Sequence, residues 1–192
     1  PLTLVASIKI SKKLNIPCVC EVRDLWPLSI VEYSSLTNKN IIIKALYKLE
    51  KWCYKNADAL IFSMEGGAKY IQDQGWDDIV NLKKVHYINN GVCLDTFNKN
   101  KEQFVFEDED LDNPNLFKVV YTGTVSTANG LSELVEVARN LPNNIKIIIF
   151  GDGSDKQKLE NIVNNENIEQ VIFKGAVDKK FIASILSKSN LN

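Results

Sequence analysis

The chain has 192 residues, a net charge of −1, 45% hydrophobic residues and 24% charged residues, which is the composition of an ordinary globular protein. The balanced charge argues against a strongly basic nucleic-acid-binding domain and against an acidic solvating tail. No apolar run reaches the length of a membrane span, and no signal peptide is recognisable. The length fits one large domain or two small ones.

Helix-like and strand-like segments alternate along the chain. Apolar periodicity predicts helices at residues 2–15, 40–56, 65–74, 131–140, 154–165 and 178–188. Short apolar runs predict strands at residues 16–22, 57–63, 83–88, 117–123, 145–151 and 170–175. Continuously apolar runs favour strands that are buried on both faces of a parallel sheet, and the strand–helix–strand order favours βαβ units.

The alternation stops between residues 89 and 116. The sequence Asn89-Asn90-Gly91 predicts a turn, because Asn and Gly tolerate positive φ. Residues 107–115 (EDEDLDNPN) are acidic and contain proline, which predicts a loose surface segment. We therefore predict domains at 1–88 and 117–192, joined by a linker at 89–116. Each domain has the elements of about half a doubly wound sheet.

Three strand-to-helix junctions carry a glycine where a ligand could approach the backbone. They are YTGTVSTANG with Gly123, FGDGSDKQKLE with Gly151 and FKGAVDKKF with Gly175. All three lie at carboxyl ends of predicted parallel strands, the edge where open α/β sheets bind ligands and where helix N-termini offer amide donors. The glycine spacing does not match the dinucleotide-binding fingerprint. Each junction, taken alone, is explained at least as well by an ordinary tight turn as by ligand contact.

A fourth junction, EVRDLWPLS, places Arg23 and Asp24 at the carboxyl end of the first predicted strand. One interpretation is a structural ion pair with Trp26 packed beneath it. The position at a strand end slightly favours a functional role.

The histidine and the cysteines predict no catalytic centre. His86 is the only histidine and has no neighbouring acid or nucleophile pattern, which favours a core or edge residue. The cysteines lack metal-ligand spacing, and we interpret them as reduced thiols. Because side chains alternate along a strand, Cys18 and Cys20 should share a face. The other two cysteines are Cys53 and Cys93.

Lysines form a narrow stripe on the helix predicted at 40–56. They are Lys44, Lys48, Lys51 and Lys55, spaced by four, three and four residues. The opposite face carries Ile42, Leu46, Leu49 and Cys53. A solvated lysine face over a buried stripe is the first interpretation. Contact with anionic lipid head groups is the second.

Six segments follow one another in the order used by a known family. They are RDLWP, LEKWCYKNADALIFS, INNGVCLDTF, YTGTVSTANGLSELVEVA, IIIFGDGSDKQKLE and VIFKGAVDKKF. The ordered set resembles the retaining nucleotide-sugar glycosyltransferases of family 4, which have two facing Rossmann-like domains, the GT-B fold. It looks closest to the bacterial branch that builds surface polysaccharides, including N-acetyl-fucosamine transferases.

The resemblance implies an α/β fold with two Rossmann-like parallel-sheet halves, both incomplete in this chain. Residues 1–88 would be the second half of the acceptor-side domain, and residues 117–192 the first half of the nucleotide-sugar-binding domain. The family's paired glutamates are expected beyond Asn192, so the chain looks like an internal fragment without transferase activity of its own. An unpaired sheet edge leads us to expect self-association of the fragment.

The resemblance also assigns roles to residues of this chain. The donor nucleotide sugar, expected to be UDP-linked, would bind Gly123, Thr124, Asn129, Gly151, Gly175 and Val177. Arg23 and Asp24 would face the transferred sugar. No cofactor and no metal is expected. The Asp108-Glu109-Asp110 sequence matches the Asp-x-Asp of metal-dependent sugar transferases as text, but it lies in the acidic segment and not at a strand end.

Four positions depart from the family pattern. Thr124 and Asn129 stand where the family often has Arg and Lys to neutralise the diphosphate, and Cys93 stands where it has Asp. Arg23 stands where the family has a His that contacts the 6-hydroxyl of the donor sugar. One explanation of Arg23 is a 6-deoxy donor such as N-acetyl-fucosamine, and the competing explanation is an ion pair with a carboxylate.

The resemblance thus predicts transfer of a sugar from a nucleotide-diphosphate sugar to a glycan or lipid-linked acceptor, in capsule, O-antigen or other surface polysaccharide synthesis. The predicted location is cytoplasmic, with peripheral contact to the inner face of the membrane through the lysine stripe. Two alternatives remain: a nucleotide-sugar 2-epimerase of the same architecture, and a non-catalytic scaffold domain.

Overall fold

A computed structural model describes residues 2–192. The chain divides into two compact units, the first ending at Gly91 and the second running from Val92 to Asn192. Each unit contains one three-stranded parallel sheet with helices, which confirms the predicted α/β class with two parallel-sheet halves. The boundary between the units falls inside the predicted linker at 89–116.

The first unit is built on a sheet with the strand order β1-β2-β3. Its elements in chain order are α1 (Leu2–Leu14), β1 (Val19–Val22), α2 (Leu28–Tyr33), α3 (Ile41–Asn56), β2 (Ala59–Phe62), α4 (Gly67–Asp73), a 3₁₀ turn (Leu82–Lys84) and β3 (Val85–Tyr87). The register pairs Cys20 with Leu60 and Leu60 with Val85.

The second unit is built on a sheet with the strand order β4-β5-β6. Its elements are α5 (Leu94–Gln103), β4 (Phe117–Thr122), a 3₁₀ turn (Thr127–Asn129), α6 (Leu131–Ala138), β5 (Ile145–Phe150), α7 (Lys156–Asn165), β6 (Val171–Gly175), a 3₁₀ turn (Lys179–Phe181) and α8 (Ile182–Ser187). β5 is the central strand and is buried from Ile147 to Phe150. This burial agrees with its continuously apolar sequence.

All six predicted strands and all six predicted helices are present, with ends shifted by a few residues. The sequence reasoning missed α2, which has only six residues, and α5, whose sequence LDTFNKNKEQ is mostly polar. Neither helix contains a fully buried residue. A weak apolar stripe explains why periodicity did not reveal them.

The acidic segment 107–115 is packed onto the core of the second unit, of which it is a part, contrary to the loose surface segment expected from its composition. Leu111 is 1% exposed and belongs to a cluster with Phe150. Asp108 and Asp110 both contact the ammonium group of Lys174, at 2.8 and 2.6 Å. Composition could not show this, because the lysine that neutralises the carboxylates lies more than sixty residues further along the chain.

The helix α3 buries a stripe that is rotated from the predicted one. Ile42, expected on the buried face, is 60% exposed, whereas Ile43 is completely buried. The other buried residues of α3 are Glu50, Cys53 and Tyr54. The helix starts where the Asn40 side chain accepts a hydrogen bond from the Ile42 amide at 2.8 Å, which is the usual capping contact.

A buried carboxylate lies in the core of the first unit. Glu50 is 3% exposed and accepts hydrogen bonds from the hydroxyl groups of Tyr54 at 2.7 Å and Tyr70 at 2.9 Å. The Trp76 ring packs edge-on against both tyrosine rings. Burial raises the pKa of Glu50 to about 7, although the two tyrosine hydrogen bonds oppose the shift.

In the second unit, the backbone segments that follow β4 and β5 lie in direct contact. The Gly123 amide donates to the Phe150 carbonyl at 3.0 Å, and the Gly151 amide donates to the Gly175 carbonyl at 2.8 Å. A Cβ added at Gly151 would lie 1.8 Å from the Gly123 carbonyl oxygen. Position 151 therefore excludes any side chain unless the sheet edge opens.

The first prediction concerns the pH dependence of the Glu50 network. A folded-state pKa of about 7 lies above the ordinary value, so the folded unit binds the extra proton. The free energy of unfolding should therefore fall by about 3 kcal/mol as pH rises from about 5 to about 8. Glu50→Gln can accept from one tyrosine hydroxyl and donate to the other, and it removes the titration, so it should flatten this slope.

The measurement is urea unfolding followed by tryptophan fluorescence, because the tryptophans at positions 26, 52 and 76 all lie in the first unit. Glu65→Gln, at an exposed position, is the matched control and should keep the wild-type slope. If Glu50→Gln keeps that slope as well, Glu50 is not the titrating group.

The second prediction concerns the glycine contact. Gly151→Ala should destabilise the second unit by about 3 kcal/mol, the upper range for overpacking. Gly91→Ala is the control, because an added Cβ there meets no atom within 4 Å. Urea unfolding followed by circular dichroism, with amide exchange of β4 and β5, measures both variants. Equal stability of the two variants would contradict the proposed contact.

Candidate functional site

Two of the predicted glycine junctions form one continuous surface at the carboxyl edge of the second sheet. The Val125 amide donates to the Asp152 carbonyl at 3.0 Å, and the Asp155 amide donates to the Val125 carbonyl at 3.1 Å. Val125 itself is completely buried between these segments. The loop after β4 therefore runs beside the loop after β5.

Side chains hold the loop after β4 in one conformation. The Asn129 amide donates to the Tyr121 hydroxyl at 2.9 Å and also to the Thr124 carbonyl. The Tyr121 hydroxyl donates to the same Thr124 carbonyl at 2.9 Å. At the other end of the loop, the Thr127 hydroxyl donates to the Asp155 carboxylate at 2.6 Å and holds the pKa of that carboxyl below its usual range.

This edge can offer amide donors to an anion. Among residues 2–192 no acceptor is found for the backbone amides of residues 124 and 126–128. Amide groups that converge at a strand-to-helix turn bind phosphate through their N–H dipoles. Thr124, predicted to face a diphosphate, is exposed at this loop, whereas Asn129 is engaged in the hydrogen bonds that shape the loop.

Lys156 is a cation at this edge that the sequence reasoning did not single out. It begins α7, and its ammonium group lies 3.9 Å from the position that a Cβ on Gly175 would take. The Lys156 ammonium group also forms an ion pair with the Glu160 carboxylate, at 3.7 Å. The signal in the sequence was its place within the second glycine junction, near the start of the helix predicted at 154–165.

The third junction offers backbone rather than side chains. Gly175 has a φ of +77°, a conformation that favours glycine, and its carbonyl accepts from Gly151. The Val177 side chain packs against the cluster that contains Leu111. Asp178 caps the following 3₁₀ turn by accepting from the Lys180 amide at 3.0 Å. Ligand contact by residues 175–177 would therefore involve main-chain groups.

The predicted sugar-facing residues lie in the first unit, at the end of β1. The Arg23 guanidinium Nε donates to the Glu21 carboxylate at 2.8 Å, so the ion pair considered from sequence is present, with Glu21 as the partner. Beside them is a cavity of about 310 Å³. Its lining residues are Leu4, Glu21, Val22, Arg23, Asp24, Trp26, Glu50, Cys53 and Tyr54.

The lining of this cavity combines an aromatic ring with carboxylate and guanidinium groups. Trp26 is 40% exposed. An exposed indole ring can cover the apolar face of a ligand, and charged groups can hydrogen-bond the ligand's hydroxyl groups. Glu50 lies at the buried side of the cavity with a pKa of about 7. The sequence reasoning missed Glu50 because it lies between Leu49 and Lys51 on a helix whose buried face was assigned one residue out of phase.

The remaining predicted residues have simple environments. His86 is exposed on the edge strand β3, as expected for an edge histidine. Cys18 and Cys20 are buried with their sulfur atoms 3.9 Å apart, which confirms the shared face. All four cysteines are free thiols, and Cys93 is the exposed one.

Two further results concern residues 2–192 as a whole. Over this described part of the chain, no three His, Cys, Asp or Glu side chains are grouped as metal ligands. Within the same residues, none of the helices has both the length and the hydropathy needed to cross a bilayer.

The structure thus brings together the predicted residues of the second unit. Gly123, Thr124, Asn129, Gly151 and Gly175 lie on one sheet edge. Arg23 and Asp24 line a cavity in the first unit.

Residues 99–191 match the family model described as glycosyl transferases group 1. Among curated proteins no sequence matches the chain.

Solved structures share the fold at low sequence identity. HepE of Anabaena, in complex with UDP-glucose, is 16% identical with a TM-score of 0.68, over 97% of this chain and 49% of that chain. WaaG, a glycosyltransferase involved in lipopolysaccharide biosynthesis, is 10% identical with a TM-score of 0.59, over 89% and 48%. WaaB, a lipopolysaccharide outer core galactosyltransferase, is 16% identical with a TM-score of 0.51, over 91% and 48%.

The chain therefore spans about half the length of the solved structures that it matches. It has the Rossmann-like parallel sheets of the GT-B fold, and residues 99–191 carry the sequence pattern of glycosyl transferases group 1.

Proposed function

We propose that this chain is part of a glycosyltransferase that moves a sugar from a nucleoside-diphosphate sugar to a glycan or lipid-linked acceptor. One observation carries the proposal. The region that matches glycosyl transferases group 1, residues 99–191, is also the region whose glycine junctions form one edge with unpaired amides. An edge of this type suits the diphosphate of a nucleotide sugar.

In this proposal the second unit binds the donor. The amides of residues 124 and 126–128 bond the diphosphate, and Lys156 supplies the positive charge that Thr124 and Asn129 lack. The main chain of residues 175–177 bonds the base. HepE was solved with UDP and with UDP-glucose, which favours UDP as the nucleotide to test first.

The first unit would bind sugar hydroxyls in the cavity beside β1. Asp24 would accept hydrogen bonds from hydroxyls, Arg23 would donate, and Trp26 would cover an apolar ring face. The Arg23 contact with Glu21 gives Arg23 a role that is independent of the donor sugar. We therefore propose a hexose or N-acetylhexosamine donor without restricting it to a 6-deoxy sugar such as N-acetyl-fucosamine.

The proposed chemistry retains the anomeric configuration and proceeds through an oxocarbenium-like transition state. The leaving diphosphate gains charge as the glycosidic bond breaks, so donors fixed in advance at its oxygens lower the barrier. The loop after β4 fits this role because side-chain hydrogen bonds already hold it in place. We propose a surface polysaccharide as the product, with WaaG and WaaB as the supporting structural relatives.

Product analysis with the whole protein tests the reaction class. The protein is incubated with UDP-sugars labelled in the sugar and with a polyprenyl-linked or oligosaccharide acceptor. Transfer of label to the acceptor supports the proposal. Label that appears only in a 2-epimeric sugar would instead support an epimerase, and absence of both products would support a scaffold.

A third prediction tests the donor site in the 192-residue chain alone. Thr124→Arg should tighten UDP binding about tenfold, since a hydrogen bond to a charged group contributes about 1.5 kcal/mol. Thr124→Asp should abolish binding, because its carboxylate would repel the diphosphate. Isothermal titration calorimetry at fixed ionic strength measures both variants.

Asn165→Arg is the matched control. It adds the same charge at the last residue of α7, the end of the helix away from the strand-end loops, and should leave UDP affinity unchanged. If Thr124→Arg and Thr124→Asp bind UDP as the wild type does, the diphosphate does not bind at this loop.

A further inference from the structure

The cavity beside β1 is lined by charges of both signs. Among its lining residues in the described part of the chain, the acids are Glu21, Asp24 and Glu50, and the only cation is Arg23. Its volume of about 310 Å³ lies at the lower end of the range for small-ligand sites. The cavity therefore has room for a single sugar ring, and the charged groups of the lining lie close to that ring.

The positive charge of Arg23 is offset within the lining itself. Its Nε donates to the Glu21 carboxylate at 2.8 Å, and this hydrogen bond raises the pKa of the guanidinium above its usual value. Residues two apart in an extended segment share a face, which keeps the two side chains together. Arg23 thus keeps N–H donors for the hydroxyl groups of a ligand, but it has no uncompensated charge for a carboxylate.

Within residues 2–192, neither Asp24 nor Glu50 forms an ion pair. Glu50 instead accepts hydrogen bonds from the hydroxyl groups of Tyr54 at 2.7 Å and Tyr70 at 2.9 Å. Its pKa of about 7 leaves it partly ionised at neutral pH. The net charge of the described lining is therefore negative.

The Trp26 ring adds a surface that distinguishes cationic from anionic ligands. It lines the same cavity and is partly exposed. The negative face of an indole ring covers the apolar face of a sugar and attracts an ammonium group, whereas it repels a carboxylate. The aromatic and the acidic groups of the lining thus favour ligands of the same charge.

We propose that this cavity selects its sugar by charge, so that it takes a neutral or amine-bearing ring and excludes a ring with a carboxylate. A carboxylate would lose water on entry and would meet Asp24 and Glu50 at short range, with Arg23 already paired. An ammonium group would meet the same carboxyl groups with the opposite sign. The inference rests on the proposed function for the presence of a sugar in the first unit, and it adds the charge that this sugar carries.

Three monosaccharides of similar size and different charge test the proposal: glucosamine, glucose and glucuronate. Each is titrated into the isotope-labelled wild-type chain at neutral pH and constant ionic strength, and the indole N–H signal of Trp26 in NMR spectra reports occupancy of the cavity. The signals of Trp52 and Trp76, which are outside the described lining, report unspecific effects. Glucosamine should bind about fivefold more tightly than glucose, and glucuronate about fivefold more weakly.

Two substitutions should change this order. Asp24→Asn removes one carboxylate and should bring the affinity for glucosamine close to that for glucose. Glu21→Gln releases the Arg23 guanidinium from its ion pair and should let glucuronate bind at least as tightly as glucose. Both substituted side chains are exposed, so both variants should fold, and circular dichroism checks this.

Asp77→Asn and Glu65→Gln are the matched controls. They make the same chemical changes at exposed positions of the first unit outside the described lining, and they should keep the wild-type order of affinities.

Four results would overturn the proposal. Equal affinity of the wild type for the three sugars, tightest binding of glucuronate, or an unchanged order in either Asp24→Asn or Glu21→Gln would do so and would leave the proposed sugar transfer intact. The fourth is absence of a Trp26 response to all three sugars. Titration of the same chain with UDP then decides separately whether the donor site of the proposed function stands.

Discussion

The close contact between the backbones after β4 and β5 is the constraint on which the candidate donor site depends. Parallel pairing brings the carboxyl ends of the strands to one edge, but side chains at the strand ends would normally keep the following loops apart. Glycine at 151 removes that obstacle, because a Cβ there would lie 1.8 Å from the Gly123 carbonyl oxygen. The two loops then pair through Val125, whose amide and carbonyl are both used. Burial of the Val125 side chain anchors the loop to the core below, and the unpaired amides of the edge follow from this arrangement.

Most of the regular structure could be predicted from sequence because the strands are short, continuous apolar runs between helix-like segments. In β5, the apolar run ends in four consecutive buried residues, as expected for a strand in the middle of a sheet. The helices α2 and α5 could not be found in this way. α5 contacts α8 and the neighbouring 3₁₀ turn, so its stability depends on residues about eighty positions away. The prediction of a loose segment at 107–115 was wrong for a related reason, because the carboxylates of Asp108 and Asp110 are neutralised by Lys174 of β6.

The candidate site was predictable where position along a strand determined it. Gly123, Gly151 and Gly175 were found because each follows an apolar run. The pairing of Arg23 with Glu21 also follows a simple rule, since residues two apart in an extended chain share a face. The interactions that could not be predicted are those between side chains and distant or irregular backbone. The Asn129 contacts need the loop conformation to be known, and the burial of Glu50 needs the exact rotation of α3.

The Asn129 contacts have a consequence for how a bound anion would be held. An amide at this position closes the loop on the Tyr121 hydroxyl and the Thr124 carbonyl, so the loop is ordered before any anion arrives and the entropic cost of ordering is met during folding. A lysine at 129 would add charge, but it lacks the planar amide with which Asn129 donates to both acceptors. Attraction through fixed amide dipoles acts at short range, whereas attraction between full charges is screened by salt. The part of an anion's affinity that comes from these amides would therefore change less with ionic strength than the part that comes from the Lys156 ammonium group.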